Sequence, residues 1–405
     1  MSVDNYSFDI GPMGAIGEQG SLLLRINRNC PWNRCLFCST YKGKKFEYRK
    51  VAEIKRDIDV IRFLVGELKS TSYKLGCSGE VNDEVMWAII QNNPESYNRG
   101  SDDGKMLDLR YASLRNVCRW LSYGAKTVFL QDANALIMRT PELIEVIRYL
   151  RESFPTIERV TSYARAKTCV QKSVEELKEL HEVGLSRLLV GIESGCNPVL
   201  EYMQKGVSAQ EHIEGGRKVV ESGMTFVAFV MPGLGGKLWA ERHVLETARV
   251  LNEIKPHFIR IRSLAIQEDS PLYEKWQSGD FEPPTDDQMV DEIEQLIENL
   301  NCDCDIETGQ LTNILFEIRG YLPQQREKIL EIIQRYKAMS PEERLDFKLE
   351  RYIRYYLPYI RERGKVDYQL LQLIKEAAVN LAKCSSEAER KVEQVILAIK
   401  QRGIP

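Results

Sequence analysis

Three cysteines, Cys30, Cys35 and Cys38, lie within one nine-residue segment of the sequence. Spacings of four and two intervening residues allow their thiolates to converge on one site from a single loop. Thiolates are soft ligands that suit zinc or an iron–sulfur cluster. Structural zinc requires four ligands, and the nearest candidates for a fourth are Cys77 and, much further on, His181. Three ligands instead predict a [4Fe–4S] cluster that leaves one iron open for a substrate.

Two alternatives to this cluster remain for the cysteine segment. A distant ligand could complete a structural zinc site. The three cysteines could also bind no metal, which is the less favoured alternative because clustered thiols in an exposed loop oxidise easily.

The bulk properties of the chain are those of an ordinary globular protein. It has 405 residues, of which 43% are hydrophobic and 28% charged, and a net charge of −3. This charge does not indicate nucleic acid, although a local basic patch is compatible with it. No apolar run has the length of a membrane span, and the N-terminus lacks the order of basic, apolar and small residues that is typical of a signal peptide. We therefore expect a cytoplasmic protein without membrane contact, in a reducing compartment where clustered cysteines indicate metal before disulfide.

Short apolar segments alternate with helical patterns over the first two thirds of the chain. Helix-start signals separate several of them, such as the capping box of Ser173 and Glu176. This alternation predicts an α/β fold with a parallel sheet, open or closed into a barrel, whose active site lies at the carboxyl ends of the strands. The predicted strands cover residues 22–26, 127–130, 157–163, 187–192, 226–231 and 258–264.

The same patterns predict how the chain is divided. Residues 1–20 form an N-terminal arm, and residues 21–282 form the α/β domain. A helical insertion after the first strand occupies about 69–104. Beyond Pro283 the strands stop, so residues 283–405 are expected to form a helical C-terminal region.

The cysteine segment resembles the signature of the radical S-adenosylmethionine (SAM) superfamily, whose usual spacing is three and then two residues. The resemblance covers about residues 20–280 and implies a partial (β/α)6 barrel of TIM type. It also implies an oxygen-sensitive [4Fe–4S] cluster, SAM as the second cofactor, and an electron donor such as flavodoxin or ferredoxin. Phe37 stands where the family places an aromatic residue against the adenine of SAM; plain packing is the alternative.

Polar residues after the second and third predicted strands stand where the family binds SAM. Asp132 and Asn134 would accept hydrogen bonds from its amino group, and a turn between strand and helix is the alternative. Ser162 and Arg165 end the third strand. Arg165 would contact a carboxylate of SAM or substrate, unless it is a surface arginine.

The segments Gly191–Gly195 and Met203–Gly206 resemble the branch that contains coproporphyrinogen-oxidase-like, methylthiotransferase and Elongator-type proteins. The resemblance implies that Glu193, with Ser194 beside it, binds the SAM ribose. Lys205 would pair with the SAM carboxylate, or else be a solvated helix-end lysine. Gly233 follows the fifth strand and would let the backbone approach the cofactor closely.

Two further groups of residues have simpler explanations. Arg260 and Arg262 share one face of the sixth strand, and ion pairs with acidic residues are favoured over contacts with an anionic substrate. Cys302 and Cys304 could join a second cluster, which the lack of further neighbouring cysteines makes the weaker interpretation.

The resemblance implies an enzyme that cleaves SAM reductively and abstracts hydrogen from a substrate, which the sequence does not identify. We expect a small molecule or another substrate, with nucleic acid not indicated. Two alternatives come from other functional classes. One is a non-catalytic iron–sulfur protein or cofactor chaperone that binds SAM, and the other is a zinc-stabilised binding module.

Overall fold

The computed structural model of the chain describes residues 6–12, 14, 17–97, 104–362, 364–382 and 387–402. Parts of the predicted N-terminal arm, residues 98–103 of the predicted insertion, and parts of the predicted C-terminal region lie outside these described residues. In the part of the chain that is described, no helix combines the length and hydrophobicity needed to cross a bilayer.

Strands and helices alternate from the first strand onward. The strands are β1 (Leu22–Arg25), β2 (Asn27–Arg28), β3 (Glu47–Tyr48), β4 (Thr127–Gln131), β5 (Arg159–Ala164), β6 (Leu185–Glu193), β7 (Thr225–Val230), β8 (Phe258–Ile261), β9 (Cys304–Glu307) and β10 (Arg319–Leu322). The helices are α1 (Val51–Lys74), α2 (Asp83–Asn92), α3 (Pro94–Tyr97), α4 (Gly104–Ser122), α5 (Thr140–Ser153), α6 (Ala166–Gln171), α7 (Val174–Glu182), α8 (Asn197–Tyr202), α9 (Ala209–Glu221), α10 (Ala240–Ile254), α11 (Pro271–Gln277), α12 (Asp286–Asn299), α13 (Arg326–Lys337), α14 (Pro341–Arg351), α15 (Leu357–Glu362), α16 (Tyr368–Ala382) and α17 (Ala388–Gln401). Ala135–Ile137 is a short 3₁₀ helix and Tyr352–Tyr356 a π-helical turn.

Eight of the strands are hydrogen-bonded in the order β1-β4-β5-β6-β7-β8-β9-β10, and β2 pairs with β3 separately. The pairs β1–β4, β4–β5, β5–β6, β7–β8 and β8–β9 are parallel, and β9 pairs with β10 antiparallel. The six strands predicted from the sequence correspond to β1 and β4 to β8. The predicted α/β class with a mostly parallel sheet is therefore confirmed.

The prediction that strands end at Pro283 is wrong. β9 and β10 lie in the region that was expected to be helical. β9 is only four residues long, with Cys304 and Ile306 buried between more exposed acidic residues. Such a short alternation is weak evidence in a sequence, and it becomes a strand because it pairs with β8 and β10.

The chain divides into two compact units that differ from the predicted domains. The first unit contains Met1–Pro31, Gly43–Val190 and Lys218–Phe226. The second unit contains Trp32–Lys42, Gly191–Arg217 and Val227–Pro405. The predicted domain boundaries remain a prediction.

In the first unit, β1, β4 and β5 form parallel pairs, and α1 packs against α2, α4 and α5. The apolar residues of α1 recur every three or four positions, which buries Ile54, Ile58, Ile61 and Leu64 on one face. The sequence pattern of this helix therefore determines which face joins the core.

In the second unit, β8, β9 and β10 are neighbours, α10 packs against α12, and α16 packs against α17. An apolar core surrounds the residues that follow β7 and β8. Its buried members are Leu36, Cys196, Val199, Met203, Met231, Leu234, Leu264, Ile266, Leu272, Phe281 and Met289. Leu36 brings the cysteine segment into this core.

Candidate cofactor-binding site

The three clustered cysteines are each half-buried. Within the second unit, the Cys38 amide donates a 3.4 Å hydrogen bond to the Cys35 carbonyl, which closes a tight turn. The segment supplies three thiols and no carboxylate or imidazole, and this donor set fits an iron–sulfur cluster. Among the residues described, no three His, Cys, Asp or Glu side chains are close enough together to hold a metal ion.

The second part of the cysteine segment is docked on Met203–Gly206. The Leu36 amide donates to the Met203 carbonyl at 3.0 Å, and Trp32 Nε1 donates to the Gln204 carbonyl at 2.7 Å. Gly206 has φ +69°, and a Cβ there would lie 2.3 Å from the Trp32 ring. Only glycine fits this contact, so the Trp32 ring packs directly on Gly206. Trp32 belongs to the four-residue stretch between the first two cysteines, and this contact holds it against Met203–Gly206.

Three of the predicted SAM contacts come together in the second unit. Lys205 Nζ lies 3.0 Å from Glu193 Oε1 and 5.5 Å from the centroid of the Phe37 ring. A Cβ on Gly191 would lie 2.2 Å from Glu193 Oε1, so glycine there makes room for the ion pair. Glu193 itself has φ +61°, a strained conformation for a non-glycine residue that is typical of functional sites. One ammonium, one carboxylate and one aromatic ring therefore lie within reach of a single ligand.

A buried hydrogen-bond network supports the loop that contains Gly233. The Gly233 amide donates to Glu292 Oε2 at 2.7 Å. His243 contacts the Met231 carbonyl through Nε2 at 3.1 Å and Ser194 Oγ through Nδ1 at 2.8 Å. Because a carbonyl only accepts, His243 carries its proton on Nε2, and Nδ1 accepts from Ser194. His243 and Glu292 thus hold two predicted cofactor segments, those of Ser194 and Gly233.

Burial shifts the pKa of both acid–base groups in this network. It raises the pKa of Glu292 to about 8 and lowers the pKa of His243 to about 4. Both side chains are therefore mainly neutral near pH 7, with His243 Nε2 lying 3.9 Å from Glu292 Oε2. Sequence reasoning missed these residues; the available signal was a polar residue on the buried face of each helix, α10 and α12.

In the first unit, Asp132 is fully buried and is bonded to its own chain. Its Oδ2 accepts from Arg25 Nη2 at 2.7 Å, from Arg25 Nε at 2.8 Å and from the Asn29 amide at 2.9 Å. Asn29 directly precedes Cys30. Asp132 therefore holds the start of the cysteine segment, and its predicted contact with the SAM amino group remains a prediction.

The other predicted contacts of the first unit also bond to their own chain. Asn134 Nδ2 donates to Thr168 Oγ1 at 2.8 Å, and Asn134 Oδ1 accepts from the Arg165 amide at 3.2 Å. Ser162 is buried and donates to the Tyr163 carbonyl at 2.9 Å. The structure brings Asn134 and Arg165 together through the backbone of Arg165, as a turn between strand and helix requires.

The chain matches no protein-family model. It is similar to two curated proteins, both named tRNA uridine(34) acetyltransferase. The protein from Methanocaldococcus infernus is 23% identical over 122 residues, which cover 30% of this chain and 23% of the relative. The protein from Methanocaldococcus jannaschii is 22% identical over 120 residues, which cover 29% of this chain and 22% of the relative. This chain thus aligns with less than a quarter of the length of either relative.

Solved structures of similar fold include the archaeal Methanocaldococcus infernus Elp3, with TM-score 0.42, 14% identity, and coverage of 59% of this chain and 62% of that one. Methylornithine synthase (PylB) has TM-score 0.41, 11% identity, and coverage of 77% and 68%. The radical SAM methyltransferase TsrM from Kitasatospora setae, solved with cobalamin and a [4Fe–4S] cluster, has TM-score 0.39, 13% identity, and coverage of 62% and 38%.

The chain resembles Elongator-type radical SAM proteins. The resemblance predicted from the sequence is thereby confirmed as a resemblance, and the similar proteins named above as a synthase and transferases are enzymes. The name of the curated relatives refers to tRNA, whereas the net charge alone did not indicate nucleic acid.

Two peripheral features of the chain have structural explanations. Arg260 Nε lies 2.9 Å from Glu307 Oε1, which confirms the favoured ion pair for that arginine. The sulfur atoms of Cys302 and Cys304 are 3.6 Å apart and buried. These two residues lie at the start of β9, where they pack in the core of the second unit.

Proposed function

We propose that this chain is a radical SAM enzyme whose three cysteines, Cys30, Cys35 and Cys38, hold a [4Fe–4S] cluster. When bound, such a cluster supplies the electron that breaks the bond between sulfur and C5′ of SAM, which yields methionine and, after hydrogen abstraction from substrate, 5′-deoxyadenosine. A reduced flavodoxin or ferredoxin would provide that electron. The observation that carries the proposal is the packing of the cysteine segment against Met203–Gly206, which places Phe37 beside the ion pair of Glu193 and Lys205.

The ion pair of Glu193 and Lys205 offers complementary groups to two parts of SAM, its carboxylate and its ribose. The SAM carboxylate would replace Glu193 as the partner of the Lys205 ammonium, since both are carboxylates. Glu193 would then accept hydrogen bonds from the ribose hydroxyls, for which a carboxylate has several acceptor sites. The Phe37 ring would pack against the adenine, and the backbone at Gly233 would approach the cofactor. Gly233 has φ +87°, and a Cβ there would lie 2.8 Å from Met289 Sδ, so this turn requires glycine.

A cavity of about 360 Å³ in the second unit is the candidate for the substrate. It is lined by Leu264 and Ile266, which follow β8, and by Trp276 and Met289. Residues of α17 form its other wall, among them Leu397. Its volume is that of a small-molecule site, and the indole ring offers a flat apolar surface. The C-terminal region would thus close the substrate site.

A nucleoside of tRNA is the proposed substrate class. The support is the name of the curated relatives, which specifies uridine 34 of tRNA. A base that is flipped out of an RNA loop is flat and apolar on both faces, which suits a cavity with an indole wall.

The test is anaerobic purification, cluster reconstitution, and incubation with dithionite and SAM, followed by chromatography. We expect 5′-deoxyadenosine and methionine in equal amounts, with faster formation when an unmodified tRNA transcript is added. A non-catalytic SAM-binding protein would retain SAM without either product. Formation that is indifferent to tRNA would leave the SAM chemistry intact and remove the proposed substrate class.

A further inference from the structure

The short hairpin β2–β3 presents a basic and aromatic surface directly after the cysteine segment. Residues 43–50 read Gly-Lys-Lys-Phe-Glu-Tyr-Arg-Lys, with one acidic residue against four basic ones. Lys44, Lys45 and Lys50 are exposed, whereas Arg49 is buried in an ion pair with Asp57. The exposed face of the hairpin is therefore positive although the whole chain is slightly acidic.

The single acidic side chain of this segment does not offset the lysines. Glu47 Oε2 lies 3.3 Å from Arg28 Nη1 on the neighbouring strand, and Arg28 Nε lies 2.6 Å from Asp9 Oδ2. Glu47 is therefore already engaged by an arginine, whereas Lys44, Lys45 and Lys50 expose their side chains along the hairpin. A polyanion is the complementary partner.

Two aromatic rings accompany the lysines. Phe46 and Tyr48 make an edge-to-face contact with ring centroids 4.9 Å apart, and Tyr48 is 63% exposed. An acidic protein surface needs no aromatic platform, whereas unpaired nucleic-acid bases stack on such rings. The combination of lysines with exposed aromatic rings therefore favours single-stranded RNA over an acidic protein.

The backbone joins this surface to the cysteine segment. Asn27 pairs with Tyr48 and Arg28 with Glu47, and Asn29 Nδ2 donates to the Lys45 carbonyl at 2.6 Å. Asn29 directly precedes Cys30, and its amide is held by Asp132. A strand of RNA on the hairpin would thus be held next to the segment that carries the first cysteine.

We propose that the β2–β3 hairpin binds single-stranded RNA, with Lys44 and Lys45 contacting phosphates and Tyr48 stacking on a base. This rests on the proposed function in one respect, the choice of RNA as substrate class. The contacts made by the backbone of Lys45 and Tyr48 do not involve their side chains. Substitution of those side chains is therefore expected to leave the hairpin folded.

The experiment measures binding of a fluorescein-labelled 17-nucleotide anticodon stem-loop to the full chain by anisotropy, without cluster or SAM, over a range of salt concentrations. Tyr48→Ala is compared with Tyr123→Ala, which removes a tyrosine that is also 63% exposed. We expect about tenfold weaker binding for Tyr48→Ala and no change for Tyr123→Ala. Equal binding by the two variants would overturn the proposed stacking.

The lysines are tested with the double variant Lys44→Ala/Lys45→Ala against Lys126→Ala/Lys178→Ala, which removes two other exposed lysines of the first unit. The first variant is expected to weaken binding and to lower the slope of log affinity against log salt by about 1 to 1.5. The control is expected to keep the slope of the unsubstituted chain.

Heparin, a polyanion without bases, separates the remaining outcomes. If it competes as well as RNA and Tyr48→Ala has no effect, the surface binds acidic partners in general and the RNA proposal is wrong. Because the cluster is absent from this assay, its failure is separate from a failure of SAM cleavage. Formation of 5′-deoxyadenosine by Tyr48→Ala without RNA is expected to match the unsubstituted chain.

Discussion

The two units use the residues predicted to bind SAM in different ways. In the first unit, Asp132 and Asn134 are buried and bond to Arg25, Asn29 and Thr168 of the chain itself. In the second unit, Glu193 and Lys205 are each 13% exposed and pair with one another beside Phe37. The buried residues of the first unit stabilise a loop, whereas the ion pair of the second unit can exchange its partners for charged groups of a ligand. The position of a residue at the end of a strand therefore predicts where a site lies. Its hydrogen-bond partners indicate whether it supports the loop or faces a ligand.

The largest effect is expected for Asp132→Ala. Removing this carboxylate takes one of two carboxylate partners, Asp9 being the other, from the Arg25 guanidinium, and it leaves the Asn29 amide without its acceptor. The free energy of unfolding should therefore fall by about 3 kcal/mol. Urea unfolding measures this. Asp280→Ala, which removes an exposed ion pair with Lys275, is the control and should leave the free energy of unfolding nearly unchanged. If Asp132→Ala were as stable as the control and only SAM affinity fell, Asp132 would belong with the ligand-facing residues.

Lys205→Ala should have the opposite pattern to Asp132→Ala, with a loss of SAM affinity and little change in the free energy of unfolding. Loss of the ammonium would remove the proposed charge-assisted hydrogen bond to the SAM carboxylate, which corresponds to about 10- to 100-fold weaker SAM binding. Calorimetric titration of the reconstituted protein with SAM measures this, with Lys275→Ala as the control, since Lys275 forms an exposed ion pair with Asp280. Lys205→Arg should retain most of the affinity. If the dissociation constant for SAM were unchanged in Lys205→Ala, the proposal that the Glu193–Lys205 ion pair faces the ligand would be wrong.

Glu292→Gln is expected to have a smaller effect, which is on the pH dependence of the free energy of unfolding. Burial raises the pKa of Glu292 from 4.5 to about 8, so above pH 4.5 the folded state holds a proton that the unfolded state has lost. Stability therefore falls as pH rises toward 8, by about 1.4 kcal/mol per pH unit. The lowered pKa of His243 has the opposite sign, because it increases stability only as pH rises from about 4 to 6.5.

Between pH 6.5 and 8 the Glu292 contribution thus acts alone within this pair, and it amounts to roughly 2 kcal/mol. Urea unfolding at pH 6.5 and pH 8 should show this decline in the unsubstituted chain and much less of it in Glu292→Gln. The same decline in both proteins would mean that Glu292 is ionised in the folded state at neutral pH.

The sequence predicted the six parallel strands because their signals are local. Apolar runs such as Val128–Leu130 form strands, and the capping box of Ser173 and Glu176 begins a helix where it was expected. β9 was missed because four alternating residues become a strand only through β8 and β10. His243 and Glu292 were missed because each lies in an amphipathic helix, and their link to Met231 and Gly233 arises from the packing of α10 against α12.

Electron paramagnetic resonance of the anaerobically reconstituted, dithionite-reduced protein, with and without SAM, tests the central proposal most directly. The proposal predicts about four irons per chain and a reduced-cluster signal whose g values shift when SAM is added. The Cys30→Ser/Cys35→Ser/Cys38→Ser variant should lack both the iron and the signal, whereas Cys77→Ser should retain them. A chain without iron, a variant that keeps its full iron, or a signal that SAM leaves unchanged would contradict SAM binding at a cluster held by these three thiols.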